Sequence, residues 1–137
     1  MKKLLLFLFT FGLLISTSST AEIVLYCNDE MATGFTKENG NGIWRKGNFT
    51  LDRYTIRFSD DYSEVKGLDS SRVWQCKDSF QTKKYNTVIC SSNFDAGEMF
   101  TYNKNTQRFV FVKGTAFGFV ANGVDTDIIS GGTCQKF

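Results

Sequence analysis

Four cysteines constrain what this chain can fold into more than any other feature. Cys27 stands near the start, Cys134 near the end, and Cys76 and Cys90 in between. The number is even, and four cysteines permit three pairings. The favoured framework is Cys76–Cys90 with Cys27–Cys134. The first bond joins neighbouring strand-like segments across a lysine-rich loop; the second ties the earliest such segment to the last. In the chain-entropy view a closed loop of about 15 residues contributes about 3 kcal/mol, and one of about 100 residues about 4.7. Zinc is the competing use of four cysteines. The chain has no C-x-x-C pair and no histidine, which argues against it.

Disulfides need an oxidising compartment, and the N-terminus supplies a route to one. Lys2 and Lys3 precede an uncharged apolar run, Leu4 to Ile15, then a polar stretch that ends at Ala21. Ser19 and Ala21 put small residues at the −3 and −1 positions of a cleavage site before Glu22. Residues 1–21 therefore read as a secretory signal peptide. The apolar run is too short for a bilayer span, which needs about 20 residues. A lipoprotein is excluded because Leu25 and Tyr26 stand where lipid attachment before Cys27 needs small residues. The expected location is secreted or periplasmic. Loss of Lys2 and Lys3 takes the formal charge from +2 to about zero. A neutral chain has no long-range attraction for nucleic acid or anionic lipid.

Residues 22–137 read as one all-β domain. Phe, Val, Ile, Tyr and Thr dominate, with Gly and Asn as punctuation. Tyr54, Ile56 and Phe58 alternate with Arg53, Thr55 and Arg57, the pattern of a half-buried strand with a basic outer face. Phe109 and Phe111 alternate with Val110 and Val112, so both faces there are apolar. Ile23, Leu25 and Cys27 share a face, as do Trp74 with Cys76 and Val88 with Cys90. Asn39-Gly40-Asn41-Gly42 predicts a turn between Met31 to Glu38 and Ile43 to Lys46. Asn122-Gly123 predicts a type I′ hairpin between Thr115 to Val120 and Val124 to Ser130. Asn103 to Thr106 predicts a four-residue hairpin loop, and Ser59-Asp60-Asp61 closes the Tyr54 strand. No segment makes a convincing amphipathic helix, although Ser91 to Gly97 has room for one turn. Nine or ten hairpin-linked strands must close or pack as two layers. The expected fold is a small antiparallel meander closing into a barrel, with a two-sheet sandwich as the alternative.

The absence of histidine removes Ser-His-Asp and Cys-His catalysis and most zinc and haem sites. Paired cysteines leave no thiolate nucleophile. Carboxylates are what remain for catalysis. Asp125 and Asp127 would share one strand face and could converge for glycoside hydrolysis, but a solvated strand edge explains them as well. The residues expected to bind are Phe117, Gly118 and Phe119, because a glycine between aromatics marks a bulge, a bend or a close approach. Trp44 and Trp74 are further members. The basic Arg53, Thr55, Arg57 face suits an acidic partner.

The general plan resembles the small periplasmic inhibitors of host lysozyme, exported antiparallel barrels with an early Tyr-x-Cys and a late cysteine. Tyr26-Cys27 lacks the intervening residue, and Ile129-Ser130-Gly131-Gly132 is a poor substitute for their Ser-Gly-containing loop, so the likeness covers architecture alone. The resulting expectation is a disulfide-stapled, non-enzymatic binding or inhibitor module. Its partner would be a protein or a small apolar or glycan ligand, with no cofactor, no metal, no nucleic acid and no stable membrane insertion after leader removal. A structural envelope component whose edges pair with copies of itself is the first alternative. A carboxylate-dependent glycan hydrolase is the second. The oligomeric state is left open.

Overall fold

A computed structural model of the chain describes residues 21–38, 42–69, 72–78, 85–92, 97–114 and 118–137. The strands are β1 (Ile23–Lys37), β2 (Trp44–Asn48), β3 (Arg53–Phe58), β4 (Glu64–Lys66), β5 (Val73–Asp78), β6 (Thr87–Ser91), β7 (Glu98–Asn103), β8 (Arg108–Lys113) and β9 (Asp127–Lys136). They form one antiparallel sheet in the order β2-β1-β3-β4-β5-β6-β7-β8-β9, and β1 also pairs with β9. That last pairing closes eight strands into a barrel and leaves β2 as an extra strand. The meander closes as a barrel, not as two packed layers.

Alternation sets the two faces. Tyr54, Ile56 and Phe58 of β3 are buried while Arg53, Thr55 and Arg57 are exposed. Trp74 and Cys76 of β5, Val88 and Cys90 of β6, and Phe109 and Phe111 of β8 obey the same rule. The two disulfides are Cys27–Cys134 and Cys76–Cys90. Each joins residues directly opposite one another on adjacent strands. The first locks the β1–β9 seam, and the second staples the β5–β6 pair.

The interior is filled by side chains, as an eight-stranded barrel permits. Phe58 of β3 stacks on Tyr102 of β7, on the opposite wall, with ring centroids 5.6 Å apart. Trp74 of β5 meets Phe111 of β8 edge-on at 5.5 Å. Phe100 stacks on Phe109 at 5.5 Å, and Tyr54 lies edge-on to Phe111 at 5.9 Å. Among the described residues, rings from facing walls are in contact across the interior.

Two turns are held by short polar side chains. Asn103 Oδ1 accepts from the amides of Asn105 and Thr106, both at 2.9 Å, between β7 and β8. After β3, Asp61 accepts from the Ser59 hydroxyl at 2.7 Å and the Ser63 amide at 2.9 Å. These bonds favour the ionised form and hold the Asp61 carboxyl down to about 2.

The structure departs from expectation in two segments. Cys27 and the Met31 to Glu38 segment belong to one strand, because Glu30 forms a β-bulge between Asp29 and Met31 in the pairing with β9. The bulge lets β1 keep β9 on one edge while exchanging β3 for β2 on the other. The second departure follows β8. Gly118 to Asn122 is a turn rather than a strand, and Asn122-Gly123 does not close a hairpin. The Gly123 amide donates to Gly118 O at 3.0 Å, and the Asn122 amide to Phe119 O at 3.1 Å. Asn122 takes a left-handed φ of 53°, as its Asn-Gly context allows, but within a folded-back loop. Ser91 to Gly97 includes residues 93–96, which lie outside the described residues.

Candidate functional site

The sheet formed by β8, β9, β1 and β2 carries apolar residues on its outer face as well as its inner one. Register builds this face row by row. Val110, Gly131 and Met31 lie side by side across β8, β9 and β1. The next row toward β2 holds Met99, Val112, Ile129 and Thr33. Met31 is 68% exposed, Ile129 49% and Val110 45%. Gly131 has no side chain, so the first row sinks to bare backbone between Met31 and Val110. The hollow has a volume of about 160 Å³ and is lined by Met31, Ala32, Thr33, Val110, Ile129, Ser130 and Gly131. A second depression of about 320 Å³ shares the Gly131 floor and reaches Glu30 and Arg108. Together they form one trough with an apolar end and a charged end.

Beyond this trough an aromatic group caps the far end of the same face. Phe119 stacks on Phe35 of β1 with centroids 5.0 Å apart and meets Trp44 of β2 edge-on at 5.5 Å. The loop carrying Phe119 is fastened by polar contacts. The Trp44 indole donates to Asn122 Oδ1 at 3.1 Å, and Lys37 Nζ donates to Asn122 O at 2.9 Å while lying 5.0 Å from the Trp44 ring centre. Asp127 Oδ2 accepts from the Phe119 amide at 2.9 Å. Gly118 lies directly on that carboxylate, where a Cβ would collide with it. This close approach is the local reason for a glycine between aromatics.

Of the expected binding residues, Gly118, Phe119 and Trp44 come together here. Phe117 lies outside the described residues. Trp74 is fully buried in the barrel, packed on Phe111, and does not contribute to the surface. Asp125 and Asp127 do not share a strand face: Asp125 precedes β9, and Asp127 fastens the Phe119 loop.

A third feature is a polar chain inside the barrel, next to the β1 bulge. Asp29 is buried, and its Oδ2 accepts from the Tyr54 hydroxyl and the Asp52 amide, both at 3.1 Å. Its Oδ1 is buried without a partner among the described residues. Burial pushes the Tyr54 hydroxyl well above its ordinary value; the Asp29 charge adds to this, and a hydrogen bond with Ser130 opposes it. Lys113 lies 3.5 Å from Asp52 and 5.4 Å from the Tyr54 ring centre. Among the described residues no group of three or more carboxylates or thiols converges as a metal site.

Sequence reasoning missed Met31, Phe35, Val110, Ile129 and Gly131 as surface residues. The two-sided apolar pattern of β8 and the Gly131-Gly132 pair inside a strand were the available signals. What they required was the register that sets them side by side.

The site and fold define a disulfide-closed, eight-stranded antiparallel barrel with a filled interior and an apolar outer face. No family model, curated protein or solved structure matches the chain. The disulfides indicate an oxidising environment, extracellular or periplasmic. Among the described residues no helix is long and apolar enough to cross a membrane.

Proposed function

We propose that the chain is exported by its N-terminal segment, cleaved near Ala21, and acts as a non-enzymatic binding or inhibitor module that engages a protein through the outer face of β8, β9 and β1. One observation carries the reading. Rings meet across the barrel interior, while Met31, Val110 and Ile129 stand exposed around a glycine-floored hollow. Exposed apolar patches with a concave centre are where soluble proteins dock partners. A small ligand of the lipocalin kind would need an open lumen, and among the described residues ring contacts cross it.

The test is site-specific photocrosslinking in the producing cell. A photoreactive side chain at position 110 is compared with one at Thr55, on the outer face of β3. The expected result is one discrete heterologous adduct at position 110 that Gly131→Val removes by filling the hollow. An adduct of twice the chain's own mass would replace this reading with a self-assembling envelope component. Adducts at both positions, or at neither, would sink it.

A further inference from the structure

We infer that the partner presents an apolar side chain to the Gly131 hollow and carboxylates to the arginines at its lower lip; it is an acidic protein surface. This rests on the proposed binding role of the outer face and names the chemistry of its partner.

Five cations elsewhere have a carboxylate: Arg45 with Glu38, Lys66 with Glu22, Arg72 with Asp69 and Glu98, Lys104 with Asp78, Lys113 with Asp52. Among the described residues Lys37, Lys46, Lys77, Lys136, Arg53, Arg57 and Arg108 have none; Arg57 shares a pocket with Glu22 and Glu64, whereas Arg53 and Arg108 are exposed on the outer face next to the trough. Register puts Arg53, Asn28, Thr133 and Arg108 in a single row across β3, β1, β9 and β8. That row lies immediately below the row of Met31, Gly131 and Val110. Arg108 itself lines the trough. Among the described residues Glu30 is the one anion on this lip, and its Oε1 already accepts from the Thr133 hydroxyl at 2.8 Å. The lip is therefore net positive, with planar guanidinium forks suited to bidentate carboxylate recognition.

The topology narrows how the partner engages. Around the trough, β8 and β9 are each paired on both edges, while β1 pairs with β9 and meets β3 only up to Asn28 and β2 only from Thr33. No strand can be added to β8 or β9 there, so recognition on their outer face runs through side chains. The hollow is concave, with Met31 and Val110 as walls and Gly131 as floor. It is shaped to receive a projecting aliphatic group, whereas a bilayer-docking face projects its own. These features favour a protein over a membrane.

The experiment uses the unreduced protein with isotope-labelled Met, Ile and Val methyl groups. The first probe is a blocked peptide alternating aspartate and leucine. The second replaces aspartate by lysine, and the third is a phosphatidylglycerol vesicle. The acidic peptide is expected to shift the Met31, Val110 and Ile129 methyl signals and to bind at least tenfold more tightly than the lysine peptide. Arg108→Glu is expected to remove at least tenfold of that affinity, as is high salt. Equal binding of the two peptides at these methyls overturns the charge assignment and leaves the docking face standing. No shift with the acidic peptide, while the position-110 crosslink persists, also overturns the assignment and not the docking. Loss of both signals overturns both. Shifts produced by the vesicle and not by the peptide replace the protein partner with a membrane.

Discussion

The inner and outer faces of β8, β9 and β1 are made by the same residues in alternation, yet they are finished differently. Phe109, Phe111, Ser130, Cys134, Leu25 and Cys27 point inward, where rings from opposite walls and a covalent bond close over them. Val110, Ile129 and Met31 point outward and stay about half exposed or more among the described residues. Apolar area contributes about 25 cal/mol per Å² only when it leaves water. The inner residues contribute to folding, whereas the outer ones contribute little until a partner arrives. The contrast between these faces separates residues that hold the barrel from residues available for its function, and each prediction below strikes one face or the other.

The largest effect is expected at the seam. Replacing Cys27 and Cys134 together by Ala opens a loop with a sequence separation of 107, against 14 for Cys76 and Cys90. Chain entropy assigns about 4.7 kcal/mol to a loop of about 100 residues and about 3 to one of about 15. Denaturant unfolding of the two double variants should show the seam as the costlier loss. Equal losses would mean that β1–β9 pairing holds the barrel closed without its covalent bond. Next comes Phe111→Ala, which removes a buried ring in contact with Tyr54, Trp74 and Phe100. It should cost about 3–5 kcal/mol, measured by the same unfolding.

Alkaline pH strikes the inner face without mutation. Tyr102 is fully buried, its hydroxyl has no partner among the described residues, and burial pushes it up to about 12 from its ordinary 10. Burial pushes the Tyr54 hydroxyl up as well. A raised folded value means that the folded state keeps a proton the unfolded chain releases. Stability is then full below pH 10 and falls as pH rises toward 12, by about 2–3 kcal/mol for Tyr102. Tyr102→Phe should remove that part of the loss and leave neutral-pH stability unchanged or improved, since it deletes an unsatisfied hydroxyl. A denaturation midpoint series from pH 8 to 12 checks both; a wild-type midpoint that stays flat across the range would mean the hydroxyls are reached by water.

How much of this was legible in the sequence follows from the range of the interactions. Alternation is local, so the inward sets Tyr54-Ile56-Phe58 and Trp74-Cys76 could be read directly, and the cysteine framework with them. The outer trough is a product of register between strands far apart in sequence. Met31 and Gly131 become neighbours only once the Glu30 bulge has set the β1–β9 pairing. The Asn122-Gly123 reading failed for a related reason. Its turn preference is real, but the Asp127 carboxylate, Trp44 and Lys37 captured the loop through contacts that no local pattern carries. Phe119 and Trp44 were legible as candidates but not as neighbours, and Trp74, read on the inward face with Cys76, is buried there and adds nothing to the binding surface for which it was also named.

The smallest effects on stability are expected on the outer face, and there they sharpen the contrast most. Val110→Ala should lie within about 0.5 kcal/mol of the wild type, as exposed substitutions do, although its neighbour Phe111 costs several times more. Gly131→Val is the more demanding case. A Cβ at Gly131 meets Phe109 O at 3.3 Å and Met31 Cγ at 3.9 Å, so it enters with a small adjustment. The β-branched side chain also favours the extended backbone. The variant should therefore fold with wild-type disulfides and unfold within about 1 kcal/mol of the parent, while its methyl spectrum shows Met31 and Val110 newly covered. A loss of several kcal/mol would mean that Gly131 is bare because the barrel wall cannot accept a side chain there, and the hollow would become a by-product of folding. Near-neutral stability with a filled trough separates the two faces cleanly: the glycine is dispensable to the fold, and what it leaves open is available to a partner.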